Sequence, residues 1–256
     1  MGRYRQIGLA ALLIVALAGT ATVFAQRNYE RRESAYTQSY SGNVRYDGRF
    51  VFVRMSYPFS GRQQPYWAHD YPTGEEHFLK ILSSITNLST HVTESSIMSF
   101  SDPEMFKFPV LYLCEPGYWY MSDGDVTNLR AYFLKGGFLV VDDFPFRAWA
   151  QFDQQMARVF PEGRWIELDP THPIFHSFFE INSFDIIPQA YNLGGRPIFL
   201  AMFEDNDPAK RMYAMVNYQN DISEFWEYSE TGRYLVSDAN EAYKIGVNQF
   251  IYGITH

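Results

Sequence analysis

Three polar segments of this sequence directly follow apolar runs that are typical of buried strands. They are Tyr57-Pro58, then Glu115-Pro116-Gly117 with Tyr118 and Trp119 behind it, and finally Asp142-Asp143. In an open α/β sheet, ligands bind beyond the carboxyl ends of the strands. If these strands are neighbours, Glu115 and the two aspartates come close to one another at that edge.

The Asp142-Asp143 pair has two interpretations. Two carboxylates held together can have displaced pKa values or contribute to a metal site. Alternatively, one of them caps the following segment while the other faces solvent. Adjacent acids are common in proteins, so the pattern alone leaves both interpretations open.

His172 is the first histidine candidate, because it lies in the loop-like segment Asp169-Pro170-Thr171-His172-Pro173. It could take part in metal binding or proton transfer, or it could be a hydrogen-bonded structural histidine in a turn fixed by proline. His69, close to Trp67 and Asp70, is a weaker candidate of the same kind. The sequence has no HExxH or CxxC spacing, which disfavours zinc, and it predicts no metal and no cofactor.

The single cysteine, Cys114, does not have the surroundings of a nucleophile. A nucleophile elbow requires small residues on both sides of the reactive residue, whereas Leu113 and Glu115 flank Cys114. We therefore expect a buried strand residue. The nearby Tyr118-Trp119-Tyr120 run could stack on a sugar ring or a partner protein, or it could form a hydrophobic lid over the sheet edge.

The elements that would position these residues alternate along the chain. Apolar runs predict strands at 50–55, 91–94, 110–114, 137–142, 198–203 and 213–218. Helices are predicted from Thr73, where Glu76 would complete a capping box, from Ser122 with Asp125, and over 149–160. Asp238 and Glu241 could cap a final helix that includes Gly253. This order predicts an α/β fold with a mostly parallel sheet and a late β-rich addition.

The N-terminal residues predict export from the cytoplasm. Arg3 and Arg5 precede an apolar run over 7–18, and Val23-Phe24-Ala25 fits a cleavage site before Gln26. An uncleaved anchor is the alternative. We expect a signal peptide at 1–25, a flexible linker at 26–48 and one domain at 49–256, without a membrane span in the mature periplasmic or extracellular chain. The net charge of −8 argues against nucleic-acid binding.

Several spaced motifs resemble the bacterial family called domain of unknown function 4159. They are Trp67-x-x-Asp70-Tyr71-Pro72, Asp102-Pro103-x-x-Phe106-x-x-Pro109-x-x-Tyr112, Leu129-Arg130-x-Tyr132-x-x-x-Gly136-Gly137-Phe138-Leu139-x-x-Asp142-Asp143, His172-Pro173-Ile174-Phe175 and Gly246-Val247-Asn248. The resemblance implies a flavodoxin-like three-layer sandwich similar to class I glutamine amidotransferases. It implies no established activity, and the amidotransferase cysteine has no equivalent here, so glutamine hydrolysis is not expected.

These observations favour a non-catalytic envelope domain that binds a partner protein or a carbohydrate ligand at the carboxyl edge of its sheet. The residues expected to line this edge are Glu115, Tyr118, Trp119, Asp142, Asp143 and His172. A hydrolase acting on a carbohydrate or cell-wall substrate, with Glu115, Asp142 or Asp143 as general acid and base, is the alternative. A structural subunit of an envelope complex is a third possibility.

Overall fold

The computed structural model of the protein describes residues 42–59, 64–191 and 196–256. The predicted signal peptide and most of the predicted linker, through residue 41, lie outside the described residues. Within the described ranges, no helix combines the length and the apolar character needed to cross a bilayer.

One sheet of seven strands forms the middle layer of the described chain. The strands are β1 (Phe50–Met55), β2 (Thr90–Met98), β3 (Val110–Cys114), β4 (Phe138–Phe144), β5 (Trp165–Glu167), β6 (Ile198–Phe203) and β7 (Met212–Tyr218). Their spatial order is β2-β1-β3-β4-β7-β6-β5. Neighbouring strands from β2 to β7 pair in parallel, whereas β6 is antiparallel to both β7 and β5.

Helices cover both faces of this sheet. They are α1 (Thr73–Ile85), α2 (Asp123–Leu134), α3 (Trp149–Val159), α4 (Ser223–Glu227) and α5 (Val236–Thr255). The core with α1, α4 and α5 contains Tyr112 and Val140, and the core with α2 and α3 contains Leu111 and Val141. Since successive strand residues point to opposite faces, each central strand supplies both cores, which explains its continuous apolar run.

The predicted α/β class, the mostly parallel sheet and the late β-rich addition are confirmed. The predicted capping box of Ser122 and Asp125 at α2 is present. The box predicted for Thr73 is wrong, because Pro72 already has helical backbone angles and Thr73 lies inside α1. Strand β2 is longer than predicted because it pairs along β1 across a register shift.

Candidate functional site at the carboxyl edge of the sheet

The carboxyl ends of β1, β3 and β4 meet at one edge of the sheet. Chain order reverses there, because β2 lies on one side of β1 while β3 and β4 lie on the other. Such a reversal is the usual position of a ligand crevice in open α/β sheets. Tyr57 follows β1, Glu115 follows β3, and Asp143 is the second-to-last residue of β4. The fold therefore brings together the strand ends that the sequence pointed to.

His69 joins the side chains of two different strand ends. It follows the short 3-10 helix Tyr66–Ala68, and its Nδ1 lies 3.2 Å from Oε1 of Glu115 and 3.4 Å from Oδ2 of Asp143. The His69 side chain is 45% exposed, whereas those of Glu115 and Asp143 are 11% and 4% exposed. The imidazole is thus the solvent-facing member of a mostly buried group.

The backbone at these positions is strained. Asp70, Glu115 and Asp143 have φ values of 63°, 50° and 50°, and they are three of the six non-glycine residues with positive φ among the described residues. This left-handed region costs an L-residue about 1–2 kcal/mol, and strain of this kind concentrates at functional sites. At each of these positions a glycine would adopt the conformation more readily.

The turn after Glu115 packs closely on the segment that follows β4. A Cβ atom added at Gly117 would lie 2.8 Å from the Cβ of Ala148. The hydroxyl of Tyr57 donates to the carbonyl of Glu115 at 2.6 Å and lies 3.1 Å from that of Cys114. These contacts fix the left-handed residue between two strand ends.

Asp143 is also held by neighbouring side chains. The hydroxyl of Tyr191 donates to its Oδ1, and the thiol of Cys114 donates to its Oδ2 at 3.6 Å. Cys114 is fully buried, and burial raises the pKa of its thiol well above the usual value. The side chain therefore packs as a strand residue, and a buried neutral thiol is a poor nucleophile.

Asp142 faces away from this group, although it is the immediate neighbour of Asp143. Its carboxylate is fully buried and accepts hydrogen bonds from the hydroxyl of Tyr112, the amide of Asn217 and the backbone N–H groups of Ile222 and Ser223, at 2.9–3.1 Å. Asp142 thus ties β4 to the start of α4. The two adjacent aspartates do not form one carboxylate pair.

A second cluster of acids lies beneath the first. The hydroxyl of Ser223 contacts Oδ2 of Asp70 at 2.7 Å and Oδ1 of Asp221 at 3.1 Å. A hydroxyl has one proton to donate, so it satisfies one of these carboxylates at a time. Burial raises the pKa values of both Asp70 and Asp221 well above the usual range, which favours a proton on this pair.

The charges around His69 come from two carboxylates and two cationic side chains. Hydrogen bonds to Asp143 and then to Glu115 raise the pKa of His69 to about 10, and burial raises the pKa of the Glu115 carboxyl. Arg54 is already paired with Glu75, both side chains being 1% exposed. The exposed Arg147 also attracts Glu115. His69 and Arg147 therefore offset the charges of Glu115 and Asp143, and a positively charged ligand would bind between these carboxylates in place of the His69 proton.

The aromatic candidates lie in different environments. Tyr118 is half-buried and stacks on Tyr66, with ring centroids 3.6 Å apart. Trp119 is fully buried and packs against Phe100 and Phe152. Tyr118 therefore lies beside the site, whereas the ring of Trp119 is part of the core and is closed to a ligand.

His172 lies at the other end of the sheet. Its Nδ1 accepts the backbone N–H of Ile174 at 3.2 Å, and its ring contacts Phe203 and Tyr252. Tyr252 also packs on Phe138, the first residue of β4, whereas Asp143 is near the last. At about 3.3 Å per residue, His172 is far from the carboxyl edge and serves as a capping residue.

The sequence signals several residues of the site weakly or not at all. His69 is the weaker of the two histidine candidates, and local spacing does not single out Tyr191 or Asp221 as site residues. Asp70 directly follows His69, and this adjacency is its signal. Tyr191 comes from a segment far along the chain, so only the tertiary structure reveals its contact with Asp143.

Among the described residues, three groups of three side chains could hold an ion, and the third of them, Asp70 with Asp221 and Glu224, belongs to the second cluster of acids. One ligand atom each from His69, Glu115 and Asp143 lies within 4.8 Å of the others, and the same is true of Asp70, Cys114 and Asp143. The first group reaches solvent through His69, whereas Cys114 is fully buried.

No curated protein matches this sequence. Residues 49–254 match the family model described as a domain of unknown function (DUF4159), a range that includes β1 to β7 and every side chain of the site. The chain therefore belongs to this family.

Proposed function

We propose that this protein is an exported envelope domain that binds a positively charged ligand at the carboxyl edge of its sheet. The observation that carries this proposal is the contact of His69 Nδ1 with Glu115 at 3.2 Å and with Asp143 at 3.4 Å. Three residues from separate segments converge there, and two of them are carboxylates that can bind a cation in place of the proton on His69.

The backbone supports a role for the side chains themselves. Glu115 and Asp143 both adopt left-handed angles, which glycine would tolerate at little cost. An acid at such a position costs stability twice, through backbone strain and through the burial of a charge. A ligand that interacts with both carboxylates would offset that cost.

Thermal unfolding of the purified protein tests the binding proposal. We expect the melting temperature to rise with at least one member of a panel of metal ions, primary amines and guanidinium compounds, because a ligand that binds only the folded state stabilises it. Asp143→Asn should lose the response. Asp205→Asn is the matched control, since Asp205 is also left-handed but lies in the turn between β6 and β7.

A panel that leaves the melting temperature of the wild-type protein unchanged would contradict the proposal. So would a response that survives in the Asp143→Asn variant. Equal loss in both Asp143→Asn and Asp205→Asn would show that the response depends on overall charge and not on this site.

A hydrolase is the second candidate, because Glu115 and Asp143 bring two carboxyl groups together at the edge of the sheet. Glycosidases use two carboxyl groups as acid, base or nucleophile. Turnover of chromogenic glycosides or cell-wall fragments that is lost in Glu115→Gln would favour it. An inactive wild-type protein that still binds cations would favour the binding domain.

Export is supported by Arg3 and Arg5, the apolar run over 7–18 and the Val23-Phe24-Ala25 segment. Expression of the full chain in a bacterial host tests it. We expect protein in the periplasmic fraction whose mass corresponds to a chain that begins at Gln26. Intact chain retained in the cytoplasmic fraction would contradict export.

A further inference from the structure

We infer that the positively charged ligand is a divalent transition-metal ion, bound by Nδ1 of His69 and by the carboxylates of Glu115 and Asp143. This inference rests on the proposed function and identifies the class of its ligand. The sequence predicted no metal because no short ligand spacing is present. The structure takes the three donors from the segment before α1, from the end of β3 and from β4, so no local motif was to be expected.

The distances between the donor atoms fit the edges of a small coordination polyhedron. Two ligand atoms that are each 2.0–2.1 Å from a tetrahedral ion lie about 3.3–3.4 Å apart. His69 Nδ1 lies 3.2 Å from Glu115 Oε1 and 3.4 Å from Asp143 Oδ2. The third edge joins a carboxylate oxygen of Glu115 to one of Asp143, and these atoms lie within 4.8 Å of each other. Binding of an ion releases the proton of His69 Nδ1 to solvent, and a small movement of one carboxylate closes the set around the ion.

A second observation points independently to a ligand. Glu115 is buried as a whole residue, and its Oε2 atom has no hydrogen-bond partner among the described residues. A buried acceptor of this kind costs free energy unless it is paired. A carboxylate can bind an ion through both of its oxygens, and an ion bound by Glu115 in that way would supply the missing partner of Oε2.

The donor set favours a transition metal over Mg²⁺ or Ca²⁺. Imidazole nitrogen binds Zn²⁺, Fe²⁺ and similar ions well, whereas Mg²⁺ and Ca²⁺ prefer oxygen ligands only. Because the His69 side chain is 45% exposed, solvent reaches the outer side of the group. Three protein ligands and one open position are typical of zinc sites that bind water or substrate.

Neighbouring side chains fix both carboxylate ligands. Tyr191 donates to Oδ1 of Asp143, which leaves Oδ2 directed at His69. Tyr57 holds the backbone carbonyl of Glu115 at 2.6 Å. Hydrogen bonds to ligand side chains typically change metal affinity by 10–100-fold, so Tyr191 is a positioning residue of this site.

Calorimetric titration of the purified, chelator-treated full chain with Zn²⁺, Mn²⁺ and Mg²⁺ tests the inference. We expect one Zn²⁺ or Mn²⁺ per chain and at least tenfold weaker binding of Mg²⁺. His69→Ala, Glu115→Gln and Asp143→Asn should each weaken binding at least tenfold, and Tyr191→Phe about tenfold. His176→Ala is the matched control, because His176 forms a surface pair with Glu180 at 2.6 Å outside the site.

Co²⁺ provides a spectroscopic readout that does not depend on affinity alone. Bound at this site it should give the visible absorption of a four- or five-coordinate ion, and the spectrum should change in His69→Ala while persisting in His176→Ala. Circular dichroism of each variant shows whether it is folded. If the Asp143→Asn variant is unfolded, the affinity and spectrum of the surface-accessible His69→Ala variant decide the outcome.

Equal Zn²⁺ binding by the wild-type protein and the folded His69→Ala variant would overturn the inference, and so would loss of binding only in His176→Ala. Organic amines that bind in an Asp143-dependent way, without binding of Zn²⁺ or Mn²⁺, would overturn the metal assignment while the proposed function stands. If neither metals nor amines bind, both fail.

Discussion

Replacing Glu115 by glycine should give a more stable protein than replacing it by alanine, although both variants should lose cation binding. Glu115 has φ and ψ values of 50° and 53° directly after β3. Both substitutions remove the carboxylate and its contact with His69. They differ in the Cβ atom, which alanine keeps and which is the source of the strain.

The expected difference can be worked out from two opposing effects. The left-handed conformation costs an L-residue about 1–2 kcal/mol relative to glycine. Glycine in turn loses about 0.4–1 kcal/mol more than alanine, because its unfolded chain is more flexible. The balance favours glycine by about 0.5–1 kcal/mol, which corresponds to a rise in melting temperature of about 1–4 °C for a domain of this size.

Equilibrium unfolding in urea, together with titration of the cation, measures both properties. Asp205 is the matched control, because it is exposed and left-handed with φ of 54°. Asp205→Gly should also be more stable than Asp205→Ala, with cation binding unchanged in both. At Lys135, where φ is −87°, the order should reverse and alanine should be the more stable replacement.

Two results would refute this reasoning. If Glu115→Ala is as stable as Glu115→Gly or more so, while the Asp205 pair behaves as expected, Glu115 is not left-handed in solution. If Glu115→Gly binds the cation as tightly as the wild-type protein does, the carboxylate is not a ligand. The strain would then have no explanation in the binding site.

Three further predictions concern residues outside the ligand set. Asp142→Asn should lower the free energy of unfolding, measured in urea, by about 1–3 kcal/mol. The reason is that the new amide group leaves a backbone N–H, such as that of Ser223, without an acceptor. Unchanged stability would contradict the hydrogen-bond network. Burial lowers the pKa of His172, so its neutral form contributes stability above pH about 6.5 that is lost as the pH falls through the lowered pKa. Between pH 7.5 and 5, the His172→Asn variant should therefore lose less stability than the wild-type protein does. Parallel declines in the two proteins would argue against this. Cys114 is fully buried. In native buffer it should react with a thiol reagent only as fast as the protein unfolds, whereas in urea it should react promptly. Immediate reaction in native buffer would contradict its burial.

The sequence was sufficient to predict the elements that carry the site. Strand β3 has the predicted bounds, because an uninterrupted apolar run followed by Glu115-Pro116-Gly117 allows little else. The start of α2 was predictable from the local chemistry of Ser122 and Asp125. Strand β5 was missed because it has only three residues, none of them buried, and depends on its pairing with β6.

The direction of each polar side chain was much harder to predict than its place in the chain. Trp119 follows the same strand as Glu115 but turns into the core between α2 and α3. His172 is in a proline-fixed loop, as predicted, yet the loop lies at the amino ends of the strands. Neither result follows from local spacing, because both depend on which face of the sheet a connecting segment covers.

The Asp142-Asp143 pair shows why adjacent acids were ambiguous in the sequence. Asp142 continues the alternation of β4 and points, like Val140, toward the core with α4. At Asp143 the pairing of β4 with β7 shifts register and φ becomes positive, so the chain leaves the regular pleat and turns the second carboxylate toward His69. Asp142 therefore fixes β4 by its hydrogen bonds, and Asp143 lies where the backbone of β4 becomes irregular. A site built in this way needs both residues, and only Asp143 is directed at the ligand that we propose.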